Sequence, residues 1–349
     1  MKPAVAFLTP AYAPDRHGLA IASRNEVQLL EQLGCDVQVF VTARGGACES
    51  RPAGPAAIGV RARGNGSLWK PLAVHWEGLT SELQRRRWDL VIAVGWQSWA
   101  ADALLRRAEL GIGDAPVILR SHGVSSHTRS GYPFRDAVRA FGWRGHDRTL
   151  ATVLSTVDAL VPLAQVEDED RFRDVQFARR AGARVCPIPN ILPSLGHASE
   201  RARLAEPWFL SVGAFSPMKD EMALLVAYRD AGLSHLPFTL VGAHESAYLG
   251  RLRKFVQREG LKRVRFEVNP GDDRLRELYA GARCVLLASR TECQPLAVLD
   301  ALAFATPFVA RDVGDLREHR GGGRRQVRRV AGRCTRAVRR RAILRDVGK

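Results

Sequence analysis

Glu292 and Asp300, two carboxylates eight residues apart, flank the stretch of this chain whose residue types and spacing could do chemistry. Between them Pro295 opens an apolar run, Leu296 to Phe304, at helical spacing. The apolar Cys284–Ala288 before it reads as a buried strand, and Pro307–Ala310 after it as another. Pro at a first helical position is tolerated, because its missing N–H would have no helical partner there. The N–H groups of Leu296 and Ala297 then point out of the helix end, where the macrodipole favours an anion. Leu296 and Asp300 are four apart and share a face. A sugar nucleotide fits this arrangement, with its diphosphate at the helix end and its hydroxyls at the carboxylates. A strand–loop–helix in which Glu292 merely caps the helix fits it as well, and spacing leaves both open. Cys293 places a thiol beside Glu292, but no histidine is near it in sequence.

The elements that must position these residues come in two series. With 349 residues, two domains are expected. The first series has strands at Val5–Thr9, Asp36–Thr42, Ile58–Ala62, Leu90–Val94, Pro116–Arg120, Ala159–Leu163 and Val185–Ile188. Its helices are expected at Leu19–Leu33, Ala73–Arg87, Gln97–Leu110 and Asp168–Ala181, and a mixed aromatic–basic segment spans Tyr132–Ser155. Residues 191–206 are polar and read as a linker. Alternation then restarts: strand Trp208–Val212, helix Glu221–Ala231, strand Phe238–Val241, helix Tyr248–Glu259, strand Val264–Val268, helix Asp273–Ala280. Strand and helix alternating in this way imply parallel sheets of Rossmann-like type, with ligands at the C-terminal strand ends. There is no GxGxxG fingerprint.

Composition narrows the classes. No apolar run approaches the ~20 residues of a membrane span. The N-terminus, MKPAVAFLTPAY, reads as a first strand and not a signal peptide. Six scattered cysteines lack metal-ligand spacing and read as reduced thiols of a cytoplasmic protein. A net charge of +17 invites a nucleic-acid reading. Its distribution points elsewhere: Arg317–Lys349 holds twelve Arg and one Lys against Glu318 and Asp346. The basicity belongs mostly to a tail, and nucleic acid is not the expected partner.

ECQPLAVLD resembles the E-x7-E motif of the retaining family 4 glycosyltransferases (glycosyl transferases group 1), with Asp300 as the second member, one methylene shorter. SVGAFSPMKD is similar to that family's phosphate loop, with Gly213 and Lys219 in place; PIPN, at Asn190, resembles its interdomain segment. SHG resembles its cleft histidine, at His122, and APDRHGLA its glycine-rich first loop, retaining Gly18. The resemblance spans about Ala4 to Gly323. It implies an α/β chain of GT-B fold, two Rossmann-like domains with parallel sheets facing a central cleft. The expected divisions are 1–190 on the acceptor side, 191–206 as linker, 207–320 for the nucleotide-sugar, and 321–349 as an Arg-rich atypical tail.

The implied chemistry is sugar transfer from a nucleotide-sugar to an acceptor hydroxyl with retained anomeric configuration, needing neither metal nor cofactor. Glu292 would bind the donor sugar's hydroxyls and Asp300 the ribose, while Lys219, Gly213, Leu296 and Ala297 would serve the diphosphate. His122 would line the reacting side. The acceptor would be a sugar or a lipid-linked sugar of a surface polysaccharide or glycolipid, and Tyr132–Arg148 would dock on an anionic inner membrane face. A non-catalytic or decayed nucleotide-sugar-binding protein is the alternative. The family's phosphate-loop Arg is Ala214 here, with Arg290 and Arg24 as candidate substitutes; Ile191 and Ala305 stand where the family carries Gly. Beyond DVGDLREHRGGG the text becomes Arg-rich. A shifted reading frame near Gly323, a basic arm for RNA or anionic lipid, and a disordered tail are the three readings; the first expects a C-terminal domain truncated or altered.

Overall fold

The computed structural model describes residues 2–43, 57–64, 66–124, 133–164, 166, 170–191 and 208–316. Most of the linker, His127 and the Arg-rich tail lie outside the described residues. The chain divides into two compact units, Met1–Ile191 and Leu192–Lys349.

In the first unit β1 (Ala4–Thr9), α1 (Gly18–Gln32) and β2 (Asp36–Thr42) form the opening crossover, followed by β3 (Ala57–Val60). A small antiparallel pair, β4 (Ala62–Arg63) and β5 (Ala73–Val74), precedes α2 (Trp76–Leu83). Then come β6 (Leu90–Val94), α3 (Trp99–Leu104), β7 (Val117–Ser121), α4 (Pro133–Thr156), β8 (Ala159–Pro162) and α5 (Arg173–Arg180). The six-stranded sheet runs β3-β2-β1-β6-β7-β8 with every pair parallel. Strand order reverses direction between β1 and β6, so the ligand crevice of such a sheet opens where those two strands end. Val5, Phe7, Val27, Val39 and Val94 pack the core there. Within it lies a buried charge: Arg120 Nε donates to Glu26 Oε1 at 2.6 Å, and its guanidinium also donates to the carbonyls of Ile188 and Pro189. A buried guanidinium persists only when paired and hydrogen-bonded in this way, and the pairing ties α1 to β7 and to the end of the unit.

The second unit alternates without interruption. β9 (Trp208–Val212), α6 (Glu221–Asp230), β10 (Phe238–Gly242), α7 (Ala247–Arg258) and β11 (Val264–Val268) are followed by α8 (Asp272–Gly281), β12 (Ala282–Leu287), α9 (Leu296–Ala303) and β13 (Phe308–Ala310). Its five parallel strands run β11-β10-β9-β12-β13, which places the reversal between β9 and β12. One side of the sheet is covered by Leu225, Tyr228, Leu249, Leu252 and Phe255, the other by Leu278, Tyr279, Ala301 and Phe304.

Several elements differ from the sequence reading. Ala73–Val74, expected to open a helix to Arg87, is strand β5, and the helix that follows is only Trp76–Leu83; the helix expected over Asp168–Ala181 is only Arg173–Arg180. The helix expected over Gln97–Leu110 is only Trp99–Leu104: it starts late because Gln97 takes a left-handed conformation (φ 58°), and past Leu104 the chain tightens into turns in which the Leu105 and Arg106 N–H groups return to the Asp102 and Ala103 carbonyls. Val185–Ile188 is not a strand: Val185 makes a single bridge to Leu160, and the segment otherwise hangs on β8 through the Cys186 and Ile188 N–H groups. Pro295 is not the first helical residue. Its backbone is extended (ψ 113°) and it occupies the N-cap, so Leu296 is the first residue of α9.

Candidate active site

The loop after β9 is fixed by an apolar plug. Phe215 is buried with its ring packed over Gly242, where a Cβ would come within 2.4 Å of it, and edge-on to Phe266. Ser246, the N-cap of α7, donates from its hydroxyl to the Phe215 carbonyl at 3.0 Å. With the loop pinned there, the Lys219 stem passes over Gly213, whose added Cβ would make only ordinary contact with Lys219 Cγ at 3.5 Å. Glycine at 213 is therefore not demanded by crowding from this stem. Lys219 Nζ donates to Glu292 Oε1 at 2.5 Å, joining the loop after β9 to the loop after β12. This is the reversal point of the second sheet, where parallel α/β sheets place their ligands.

Glu292 is nearly buried, its side chain 11% exposed against 29% for Lys219. Its loop is clamped from beyond β13. Gly314, at φ 60°, lies so close that a Cβ would be 2.4 Å from the Cys293 carbonyl oxygen and 2.7 Å from that of Glu292. The Asp315 N–H donates to the Cys293 carbonyl at 2.8 Å, and Gln294 Nε2 donates to Asp315 Oδ2 at 2.7 Å. Cys293 itself is buried. Sequence reasoning missed Gly314 and Asp315; the only signal was the dipeptide in VGDL after β13.

At the start of α9 the N–H groups of Val298 and Leu299 return to the Pro295 carbonyl. Those of Leu296 and Ala297 belong to the first turn, which has no helical acceptors, and α9 has no side-chain cap. Asp300 lies one turn on but is buried against Tyr279, not displayed beside the helix end. Burial pushes its carboxyl up to about 7, partly offset by the Tyr279 hydroxyl. Two arginines converge beside Lys219. Arg290 donates its N–H to the Met218 carbonyl at 2.8 Å and its Nε to Asp220 Oδ2 at 3.2 Å, and Arg311 lies 3.5 Å from the same carboxylate oxygen. Arg290 thus brackets Lys219, while Arg24 is on α1 in the other unit.

His122 and Gly18 also belong to the N-terminal unit. His122 follows β7, and its Nε2 end is enclosed. Burial, with Arg120 and Arg171 adding to it, pushes its imidazole down to about 3, so it is neutral at ordinary pH. Gly18 is the exposed first residue of α1. Asn190 is buried at the end of the unit. The structure therefore brings together Gly213, Lys219, Glu292 and the α9 start, and places His122 and Gly18 on the other unit.

A model of glycosyltransferase family 4 matches residues 17–170, and a model of the glycosyl transferases group 1 matches residues 206–337. The chain belongs to glycosyltransferase family 4. The D-inositol 3-phosphate glycosyltransferase of Streptomyces avermitilis is 28% identical over 181 residues, 47% of this chain and 39% of that relative. The match thus spans about two fifths of the relative's length. Among solved structures, sucrose-phosphate synthase from Thermosynechococcus elongatus is 19% identical with a TM-score of 0.66, covering 91% of this chain and 83% of that one. Anabaena HepE, solved with UDP and glucose, is 16% identical with a TM-score of 0.55, covering 96% of this chain and 91% of its own. The family fold is GT-B, an α/β fold with parallel sheets, as the two units display.

Proposed function

We propose that this glycosyltransferase is a retaining enzyme moving a sugar from a nucleotide-sugar to an acceptor hydroxyl, in the synthesis of a surface polysaccharide or glycolipid. The Lys219–Glu292 pair at the reversal point of the C-terminal sheet, beside the open start of α9, carries the reading. Lys219 and the Leu296 and Ala297 N–H groups meet the diphosphate, and Gly213 lets the phosphates approach Lys219. Arg290 replaces the cation that Ala214 lacks. Glu292 accepts from donor-sugar hydroxyls once the phosphates draw Lys219 away from it, whereas Asp300, buried against Tyr279, is not placed to hold the ribose as the family resemblance implied. His122, neutral, receives a sugar hydroxyl, and Gly18 borders the donor. The acceptor oxygen bonds to the anomeric carbon on the face the leaving phosphate vacates, and the acceptor proton passes to that phosphate. Charge on the leaving group is met by these cations and the helix end, so no metal is called for.

The names of the relatives support a nucleotide-sugar donor and a sugar or cyclitol acceptor: HepE was solved with UDP and glucose, and the Streptomyces relative is named for an inositol phosphate. No helix among the described residues is long and apolar enough to cross a membrane. A cytoplasmic enzyme docked on an anionic membrane is proposed from α4, which exposes Phe134, Val138 and Phe141, with the Arg144 guanidinium 4.1 Å over the Phe141 ring. Flotation with liposomes that contain or lack anionic lipid tests this, and absence of binding to both rejects it. The proposed divisions remain an acceptor-side domain to residue 190 and a nucleotide-sugar domain from 207.

Donor hydrolysis by wild type, Glu292→Gln and Lys219→Ala tests the assignment. Turnover by wild type and its loss in both variants are expected. A wild type that binds a nucleotide-sugar without turnover instead favours a non-catalytic binding protein, the reading that Ala214 supports.

A further inference from the structure

We propose that the C-terminal unit has a second anion site, at the end of its sheet away from Lys219 and Glu292, and that this site takes a small soluble phosphate monoester. The site is independent of the glycosyltransferase reading. A cavity of about 370 Å³, within the range of small-molecule sites, lies at the N-terminal strand ends. Trp208 is the first residue of β9, Pro237 directly precedes β10, and Lys262 and Arg263 directly precede β11. The loop that carries Gly213 and Lys219 leaves the other end of β9, roughly 13 Å away at about 3.3 Å per residue. Ligands of an open parallel sheet sit at its C-terminal strand ends, so a donor there does not account for a cationic cavity at the opposite ends.

The cavity floor departs from what a covered parallel sheet carries. Strands buried on both faces are apolar on both. On one face Phe238, Leu240, Val264 and Phe266 obey this, packed in the core with α6 and α7. On the other, Thr239 and Arg265 are register partners in the β10–β11 ladder and stand side by side in the cavity. The helix on that face, α8, packs on β9 and β12, nearer the middle of the sheet. It contributes Leu278, whose carbonyl accepts from Trp208 Nε1 at 3.2 Å and fixes the half-buried indole as a wall.

Four cations line the same cavity. Arg274 of α8 is held in place by two carboxylates. Its Nε and Nη2 donate to Glu267 at 3.1 and 2.7 Å, and its Nη1 donates to Glu277 Oε2 at 3.0 Å. Arg263 Nη1 donates to the His235 carbonyl at 3.3 Å, which orients its guanidinium. Lys262 and Arg265 are exposed and complete the set. Like charges gathered round one cavity repel, and an anion that meets several of them relieves the repulsion. A phosphate monoester carries close to two charges and three acceptor oxygens, which suit the arginine fork and the lysine point charge, and the Thr239 hydroxyl can donate as well. Trp208, Pro237 and Leu278 supply an apolar part of the lining, which suits the carbon body of an ester better than a bare phosphate ion.

Calorimetry on the full chain with glucose 6-phosphate, AMP and inorganic phosphate tests this. At least one monoester should bind once per chain and more tightly than inorganic phosphate. Arg265→Gln and Lys262→Gln, both at exposed positions, should each weaken it about tenfold and Arg265→Lys less, with affinity for a nucleoside diphosphate unchanged. Lys219→Met should show the reverse pattern. Failure of every ester to bind overturns the proposal. So does ester binding that Lys219→Met removes and the Lys262 and Arg265 variants leave intact, which would place the ester in the donor site. Flotation on phosphatidylcholine vesicles with and without phosphatidic acid separates a lipid source of the same phosphate. Flotation that needs phosphatidic acid and is lost in Arg265→Gln, without binding of a soluble ester, also overturns the soluble ligand.

Discussion

Replacing Lys219 by Met keeps the stem that packs over Gly213 and removes the charge that meets Glu292. Two effects should separate. The first is on stability. Breaking a buried pair costs about 3–5 kcal/mol, whereas an exposed pair is worth roughly 0.2–1 kcal/mol. Glu292 is nearly buried but Lys219 is 29% exposed, so solvent screens the loss to about 1–3 kcal/mol. The second is on the donor. A charge-assisted hydrogen bond to phosphate is worth about 1.5–3 kcal/mol, so the Kd for a nucleoside diphosphate should rise roughly ten- to hundredfold. Glu292→Gln behaves differently, since it removes the carboxylate that competes with phosphate for Lys219. Its nucleotide affinity should match or exceed that of wild type while transfer is lost. Calorimetric titration with UDP, GDP and ADP, beside denaturant melts, reads both effects. If Lys219→Met melts earlier yet binds its preferred nucleotide within twofold of wild type, Lys219 is only a counterion for Glu292 and the reasoning fails.

Gly314→Ala should destabilise the unit by roughly 1–3 kcal/mol, because a left-handed residue gains a Cβ against the Glu292 loop, and transfer should fall more than nucleotide affinity; steady-state kinetics with unchanged kcat would contradict this. Arg290→Ala should weaken nucleotide binding about tenfold if it stands in for the missing loop arginine, and an unaltered Kd would remove it from the site. Asp300 stays protonated in the folded chain up to about pH 7, whereas an unfolded Asp ionises near 3.9. Its contribution is therefore fully present below about pH 4 and is lost as pH rises to about 7, by up to ~4 kcal/mol. Asp300→Asn should accordingly gain on wild type between pH 5 and pH 8 in denaturant melts, and an equal difference at both pH values would contradict the burial argument.

The strands were legible where apolar runs are bounded by glycine, proline or polar residues. Asp36–Thr42 and Trp208–Val212 read directly, because strands of a covered parallel sheet are apolar on both faces. Helix α9 was legible from its period, but Pro295 could be assigned to the cap only from its backbone. Gln97 misled the reading, since a left-handed glutamine has no mark in the sequence and is held by His146, 49 residues away. The site was half legible. Glu292 and Lys219 could be named from motifs, yet their contact joins residues 73 apart, and no spacing encodes it. Asp300 looked like a displayed carboxylate because helix geometry places it on the Leu296 face; its burial against Tyr279 depends on how α8 packs.

The central claim is sugar transfer with retained configuration at the Lys219–Glu292 site. Proton NMR of the full chain turning over a nucleotide-sugar, with a sugar acceptor, observes it most directly. The product's anomeric coupling should match that of the donor, and Glu292→Gln should form it at least hundredfold more slowly. An inverted product, or an undiminished rate in Glu292→Gln, would contradict it.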